Sequence, residues 1–379
     1  MATSKRQIEI QWGEFRDAIK ASTPVDTSET PAMQRARIAR LEAKPEDWFI
    51  YYFPKFAYAA PAPFHKAATR RILSNMEWYE VRNWSRELAK STRTMMEVLY
   101  LTLTGKKRYV LMISNNETNA DNLLEPYRIN LEANQRIIND YGNQQTLGKW
   151  TIGEFTTRKH VAFKGVGAGQ SPRGTRNEEI RPDVLIFDDL DTDEDCRNPE
   201  IIDKRWRWIE DAAIPTRSIS KGTTIIFCGN IIAKDCCVVR AHAYADHVDI
   251  INIRDKNGVS TWPEKNSEEH IDRVLIQKSY ISQQKEYYNN PISEGTVFKQ
   301  MYYKNLPNVK GYPFLVCYID LSYKSTSRND YKAAVLLGRR GNEYHLHKAF
   351  LKQGTTRDLA IGLVDIKRYV NGACPIYWV

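Results

Sequence analysis

Two short segments carry side chains that could handle a nucleoside triphosphate. In Trp84-Ser-Arg-Glu-Leu-Ala-Lys-Ser-Thr92, a lysine and a serine lie between a strand-like run, Tyr79–Trp84, and a helical one, Lys90–Leu103. A phosphate-binding loop, G-x-x-x-x-G-K-[ST], has this setting: backbone N–H groups and a helix N-terminus surround the phosphates. Lys90 would bring charge to the β- and γ-phosphates, and Ser91 a hydroxyl to Mg²⁺. Trp84 and Ala89 replace the glycines, so an ordinary helix start is the competing reading. The second segment, Asp183-Val-Leu-Ile-Phe-Asp188-Asp189, is an apolar strand ending in two acids. Asp188 there could hold Mg²⁺ and Asp189 polarise an attacking water. A solvated acidic loop is the alternative, since Asp191, Asp193, Glu194 and Asp195 follow, but it does not explain the apolar run before the pair. A third run, Thr223–Cys228, ends in Gly229-Asn230, where a polar side chain could sense a γ-phosphate or a plain turn could stand.

These groups need a frame. Residues 1–44 read as a polar helical arm broken near Thr23-Pro24, and residues 48–53 as aromatic core. An amphipathic helix from Phe64 to about Trp78 precedes the first strand. Arg108–Ser114, Asp183–Phe187 and Thr223–Cys228 read as buried strands, and Glu117–Tyr141 and Pro199–Ala213 as helices. Trp150–Thr156 and His160–Lys164 read as further strands, and 165–174 as a glycine-rich loop. Short apolar strands alternating with helices indicate an α/β fold, its mainly parallel sheet covered on both faces. Residues 260–310 read as connective, helical over 268–288. Strands at Phe314–Ile319, Tyr331–Gly338 and Tyr344–Leu351, a helix at Thr356–Val370 and a strand from Pro375 make a separate C-terminal pattern.

Composition narrows the classes. The 379 residues are 42% hydrophobic and 27% charged, with 11% aromatics. No apolar run approaches the roughly 18–20 residues that span a bilayer, and the N-terminus has no secretory apolar stretch. The six cysteines form no C-x-x-C pair and read as reduced, buried apolar residues of a cytosolic protein. Lys and Arg exceed Asp and Glu by nine, and residues 300–379 hold twelve basic against five acidic residues, which suggests a polyanionic partner.

In order along the chain, these features resemble the large terminase subunit of tailed bacteriophages. Ser85–Thr92 is similar to that family's deviant P-loop, in which an Arg, here Arg86, replaces a glycine. Gly165–Arg176, followed by Arg181-Pro182-Asp183, resembles the glycine and Arg-Gly stretch before the paired acids, and Gly229-Asn230 the coupling motif. Thr261-Trp262-Pro263 and Glu286-Tyr-Tyr-Asn-Asn-Pro291 resemble segments near the junction with a nuclease. The resemblance implies a P-loop (ASCE-type) ATPase domain over 45–265, a linker or subdomain over 266–310, and the N-terminal part of an RNase H-like α/β nuclease domain over 311–379. It implies ATP and Mg²⁺, with nucleotide contacts from Arg86, Glu87, Leu88, Ala89, Lys90, Ser91, Thr92, Gly229 and Asn230. Phe64 and His65 are expected to stack on adenine. Arg86 is a candidate cis contact to the γ-phosphate, Arg173 and Arg176 candidate trans contacts or DNA contacts.

Asp320 matches the family's first nuclease metal acid, for Mg²⁺ or Mn²⁺; Asp330-Tyr331 resembles a recurrent pair of unassigned role. The other metal acids follow a strand like Pro375–Val379. Two-metal cleavage needs several carboxylates, so the chain as given is expected to lack nuclease activity, as a truncated product or a piece of a longer protein. The implied partners are double-stranded DNA, a portal protein, a small terminase subunit and further copies in a ring on the procapsid, from a monomer in the host cytoplasm. A helicase-like DNA-dependent ATPase and a non-catalytic docking or assembly protein are the alternatives.

Overall fold

The computed structural model describes residues 5–172, 180–218, 221–292, 305–320, 332–352 and 355–379. It divides into two units, Met1–Glu294 and Gly295–Val379. Among the described residues no helix is long and apolar enough to cross a membrane.

The first unit opens with four helices: α1 Lys5–Ser22, α2 Pro31–Glu42, α3 Pro45–Tyr52 and α4 Pro63–Ser74. Then β1 (Trp78–Trp84), α5 (Lys90–Leu103), β2 (Tyr109–Ser114), α6 (Glu117–Ala133) and α7 (Gln135–Tyr141) follow. Next come β3 (Glu154–Thr156), β4 (Ala162–Gly167), β5 (Val184–Asp188), α8 (Pro199–Trp208), β6 (Thr224–Cys228), α9 (Cys237–Ala241) and β7 (His247–Ile251), and α10 (Glu268–Leu275) and α11 (Tyr280–Tyr288) close it. The seven-stranded sheet runs β3-β4-β2-β5-β6-β1-β7, parallel throughout except for β3. Every residue of β2, β5 and β6 is buried. Alternate residues enter opposite cores: Val110, Met112, Val184 and Ile186 meet α5 and α6, while Leu111, Ile113, Leu185 and Phe187 meet α8 and α9. The sheet is therefore covered on both faces, as continuous apolar strands require.

Three expectations change. The long helix is two, because Asn134 leaves helical geometry; its Nδ2 donates to the Tyr52 carbonyl at 2.6 Å while its Oδ1 accepts from Ile137 N at 3.1 Å. The glycine-rich loop begins later, since Gly165 and Gly167 lie inside β4. A Cβ on Gly167 would sit 2.5 Å from the Glu117 backbone nitrogen, so these glycines let α6 approach the sheet. Residues 266–292, expected as a linker, pack into this unit, and β7 is an edge strand that the sequence reading left unassigned.

Beneath the loop after β1 lies a buried charge network. Arg82, fully buried, ion-pairs with Glu80 at 2.9 Å and with Glu97 of α5 at 2.8 Å, both also fully buried. Arg71 of α4 pairs with Glu80 at 2.7 Å and also with Asp249 of β7. The network ties α4, α5, β1 and β7 together.

The second unit has a four-stranded sheet, order β10-β9-β8-β11, built from β8 (Leu315–Asp320), β9 (Lys332–Arg340), β10 (Glu343–Lys352) and β11 (Ile376–Trp378). β8, β9 and β10 are antiparallel neighbours and β11 is parallel to β8. Helix α12 (Thr356–Val370) buries Leu359, Ile366 and Val370 in this unit's core. The strand, hairpin, helix and strand follow the expected order. Residues 330 and 331, Asp and Tyr, lie outside the described residues.

Removing Arg82 would leave the buried Glu97 carboxylate with only Arg93, at 3.6 Å, as a cationic partner. Arg82→Met is expected to destabilise the first unit by about 3–5 kcal/mol, read by urea unfolding.

Candidate functional site

The site forms where β1, β6 and β5 end. Arg82, Cys228 and Asp188 stand in register across the three strands, so the chain leaves each strand at one level. Helix α5 begins one short loop after β1, and no side chain caps its N-terminus. The N–H groups of its first residues therefore point outward without intrahelical partners, the arrangement that receives a phosphate.

The loop reaches this shape without glycine. Glu87 (φ 69°) and Ala89 (φ 57°) both take left-handed backbone. Such geometry costs an L-residue about 1–2 kcal/mol, so the surroundings must hold it. They do so from two sides. His65 is 2% exposed; Ala62 N donates to its Nδ1 at 3.1 Å, so Nε2 carries the proton and donates to the Leu88 carbonyl at 2.9 Å. Burial drives the His65 pKa down to about 3, which keeps the ring neutral. On the other side, Lys265 Nζ (2.8 Å) and Asn266 Nδ2 (3.1 Å) donate to the Glu87 carbonyl. Trp262 packs edge-on against His65, ring centroids 4.5 Å apart, and donates Nε1 to the Ala60 carbonyl at 2.7 Å.

Lys90, Asn230 and Glu286 form a chain of contacts over the strand ends. Lys90 Nζ donates to Asn230 Oδ1 at 2.6 Å, and Asn230 Nδ2 donates to the Glu286 carbonyl at 2.8 Å. The Arg86 N–H donates to that same carbonyl at 3.1 Å, and its guanidinium, 64% exposed, ion-pairs with the Glu286 carboxylate. Asn289, also left-handed, donates to Asn83 O at 2.8 Å and accepts from Ile231 N at 3.1 Å.

Asp188 is 1% exposed and accepts a hydrogen bond from the Ser91 hydroxyl; its Oδ1 has no partner among the described residues. Burial, and next the negative charge of Asp189, push its pKa up to about 7 against the opposing pull of Lys90. An orphaned, buried carboxylate oxygen beside a serine hydroxyl fits a hard divalent cation. Among the described residues no three His, Cys, Asp or Glu converge, so such a cation would complete its shell with water and phosphate oxygens. Asp189 is exposed, in left-handed geometry (φ 47°), one residue beyond the strand. The acids that follow are tied elsewhere: Asp191 accepts from the N–H groups of Cys237 and Val238 at 3.0 Å, Asp193 pairs with Lys285 at 2.7 Å and Asp195 with Arg205 at 2.7 Å. Asp193 and Glu194 are exposed, so the solvated-loop alternative describes part of this run and Asp191 and Asp195 anchor the rest.

The structure thus brings together Arg86, Glu87, Lys90, Ser91, Thr92, Asp188, Asp189, Gly229 and Asn230. One expected contact is corrected. Stacking on adenine is closed to His65, whose ring is buried among Phe64, Trp84 and Trp262 and whose nitrogens are both engaged. Phe64 is part-buried against the same apolar cluster, and the Leu88 side chain is fully buried beneath the loop. Asp320 is the exposed last residue of β8, in the other unit, opposite Ala333. Arg173 and Arg176 lie outside the described residues. The sequence alone gives no site role to Trp262, Lys265, Asn266, Glu286 or Asn289.

The sequence matches no protein-family model and no curated protein. Among solved structures, the large terminase of a thermophilic bacteriophage, in complex with ATP-γ-S, is 12% identical, with TM-score 0.40, over 82% of this chain and 74% of that one. The ATPase domain of the Thermus phage P74-26 large terminase is 13% identical, with TM-score 0.39, over 65% of this chain and 99% of that domain. The Phi-28 gp11 DNA packaging motor is 10% identical, with TM-score 0.37, over 82% of this chain and 83% of that one.

Two measurements check this geometry. Asp188 binds its proton more tightly folded than unfolded, so it stabilises the fold at low pH and that contribution is lost as pH rises through about 7. In EDTA, the wild type is expected to lose more melting temperature between pH 5.5 and 8 than Asp188→Asn. Ala89→Gly is expected to stabilise the fold by about 1 kcal/mol in urea unfolding, because glycine adopts the left-handed loop conformation freely.

Proposed function

We propose that the first unit binds and hydrolyses ATP and drives double-stranded DNA into a viral procapsid. The observation that carries the ATPase reading is the convergence of Lys90, Ser91, Asp188, Asp189 and Asn230 on one uncapped helix N-terminus at the carboxyl edge of a parallel sheet. The motor reading is supported by the order of motifs along the chain.

In this reading the N–H groups at the start of α5 take the β-phosphate. Lys90 exchanges Asn230 Oδ1 for phosphate oxygens. Ser91 and Asp188 are the residues that would hold Mg²⁺, which when bound neutralises the β- and γ-phosphate oxygens. Asp189 accepts a proton from the attacking water, being exposed at the strand end. Arg86 leaves Glu286 to meet the γ-phosphate, a rotation that its exposure permits. Asn230, bonded to Lys90 on one side and to Glu286 on the other, then reports the state of the phosphate to α11.

DNA would be gripped through its phosphates, without base readout. The basic excess of residues 300–379 suits that partner. The work would be done by a ring of copies on a portal, supplied with DNA by a small terminase subunit, in the host cytoplasm. Asp320 is assigned as the first metal acid of an RNase H-like nuclease unit. With no convergent set of acids among the described residues, no cleavage step is drawn through it.

Steady-state MgATP hydrolysis, with and without double-stranded DNA, tests this reading. Lys90→Ala is expected to lower turnover by at least about 10²-fold, as loss of a main electrostatic contact does. Asp189→Asn is expected to abolish turnover while the protein still binds nucleotide. Turnover unchanged in both variants would refute the assignment.

A further inference from the structure

A cavity of about 410 Å³ opens at the other end of the same strands, where β1 and β6 begin. The length of β1, about 20 Å, separates it from the phosphate loop. Its volume is within the range of small-molecule pockets.

Two hydroxyls in its lining are orphaned. Tyr79 and Thr223 are 9% and 1% exposed, and neither hydroxyl oxygen, each closed to solvent, has a hydrogen-bond partner among the described residues. A buried polar atom left unpaired costs about 1–3 kcal/mol.

The walls are aromatic and the charge is negative. The Trp206 and Tyr244 rings lie 5.7 Å apart, tilted by 33°. Three carboxylates, of Glu77, Glu210 and Asp246, line the cavity against one guanidinium, of Arg217. That guanidinium is 3.7 Å from Glu77. Glu210 is placed by a π turn, Ile209–Ala213, that continues α8, and it accepts from Tyr244 Oη at 3.2 Å. Asp246 accepts from Tyr79 N at 2.9 Å. Such turns break the regular helical ladder and often shape binding sites.

We propose that this cavity binds an organic cation carrying an alkylammonium or guanidinium group. The carboxylates neutralise its charge and accept its N–H bonds, and the aromatic faces attract it by cation–π interaction. The cation is either a free polyamine or an arginine or lysine side chain of a partner protein. The proposal stands apart from the ATPase reading, because none of its residues belongs to the nucleotide site.

Isothermal titration of the whole chain with spermidine, and separately with the peptide acetyl-Gly-Arg-Gly-amide, tests it. One probe is expected to bind saturably at one site, weakened at least tenfold by Glu210→Gln and several-fold by Tyr244→Leu, which removes one aromatic face. Both variants are to be compared at melting temperatures matching the wild type. Tighter binding of spermidine assigns a free polyamine; tighter binding of the peptide assigns a partner's side chain. No binding of either probe, or binding unchanged in both variants, overturns the proposal.

Discussion

The insertion of β6 between β1 and β5, all parallel and in register, is the constraint on which the site depends. It sets Arg82, Cys228 and Asp188 in one row. The loop after β1, the Gly229-Asn230 step after β6 and the Asp188-Asp189 pair then emerge at the same height. Only with that alignment can a lysine at the start of α5 reach the Asn230 side chain and lie close enough to Asp188 to oppose its rise in pKa. Parallel strands concentrate such ends on one edge, and there a ligand can meet several loops at once.

Four non-glycine residues around that edge, Glu87, Ala89, Asp189 and Asn289, hold left-handed backbone. Strain of this kind persists when the surroundings over-determine it. Here the restraints are identifiable: the neutral His65 on Leu88, Lys265 and Asn266 on the Glu87 carbonyl, and Asn289 between β1 and the chain after β6. Below them the Glu80–Arg82–Glu97 ion pairs join β1 to α5. A buried ionic cluster adds little net stability, but it penalises any change in how its helices and strands meet. The loop thus keeps its shape through its neighbours rather than through glycine.

Much of this was legible locally. The strand at 78–84 and the helix starting at Lys90 show in periodicity and in the Lys-Ser step, and Asp188 is marked by an apolar run ending in acids. The second unit's hairpin and helix follow their turn and amphipathic patterns. What was not legible is what holds the loop. Trp262, Lys265, Glu286 and Asn289 act on residues about 180–200 positions earlier, and no local period records such pairs. His65 shows the opposite failure: an aromatic before a phosphate loop suggests base stacking, while burial and two internal hydrogen bonds make it a brace. The glycines at 165 and 167 suggest a loop, but serve the close approach of α6 to a strand.

Equilibrium binding of ATP in the presence of Mg²⁺, followed by isothermal titration on the whole chain and on Lys90→Ala, tests the central claim most directly. Saturable one-site binding that the substitution weakens at least tenfold is the predicted result. Absence of binding to the wild type, or equal binding to both proteins, would contradict the assignment of this strand edge as a nucleotide site.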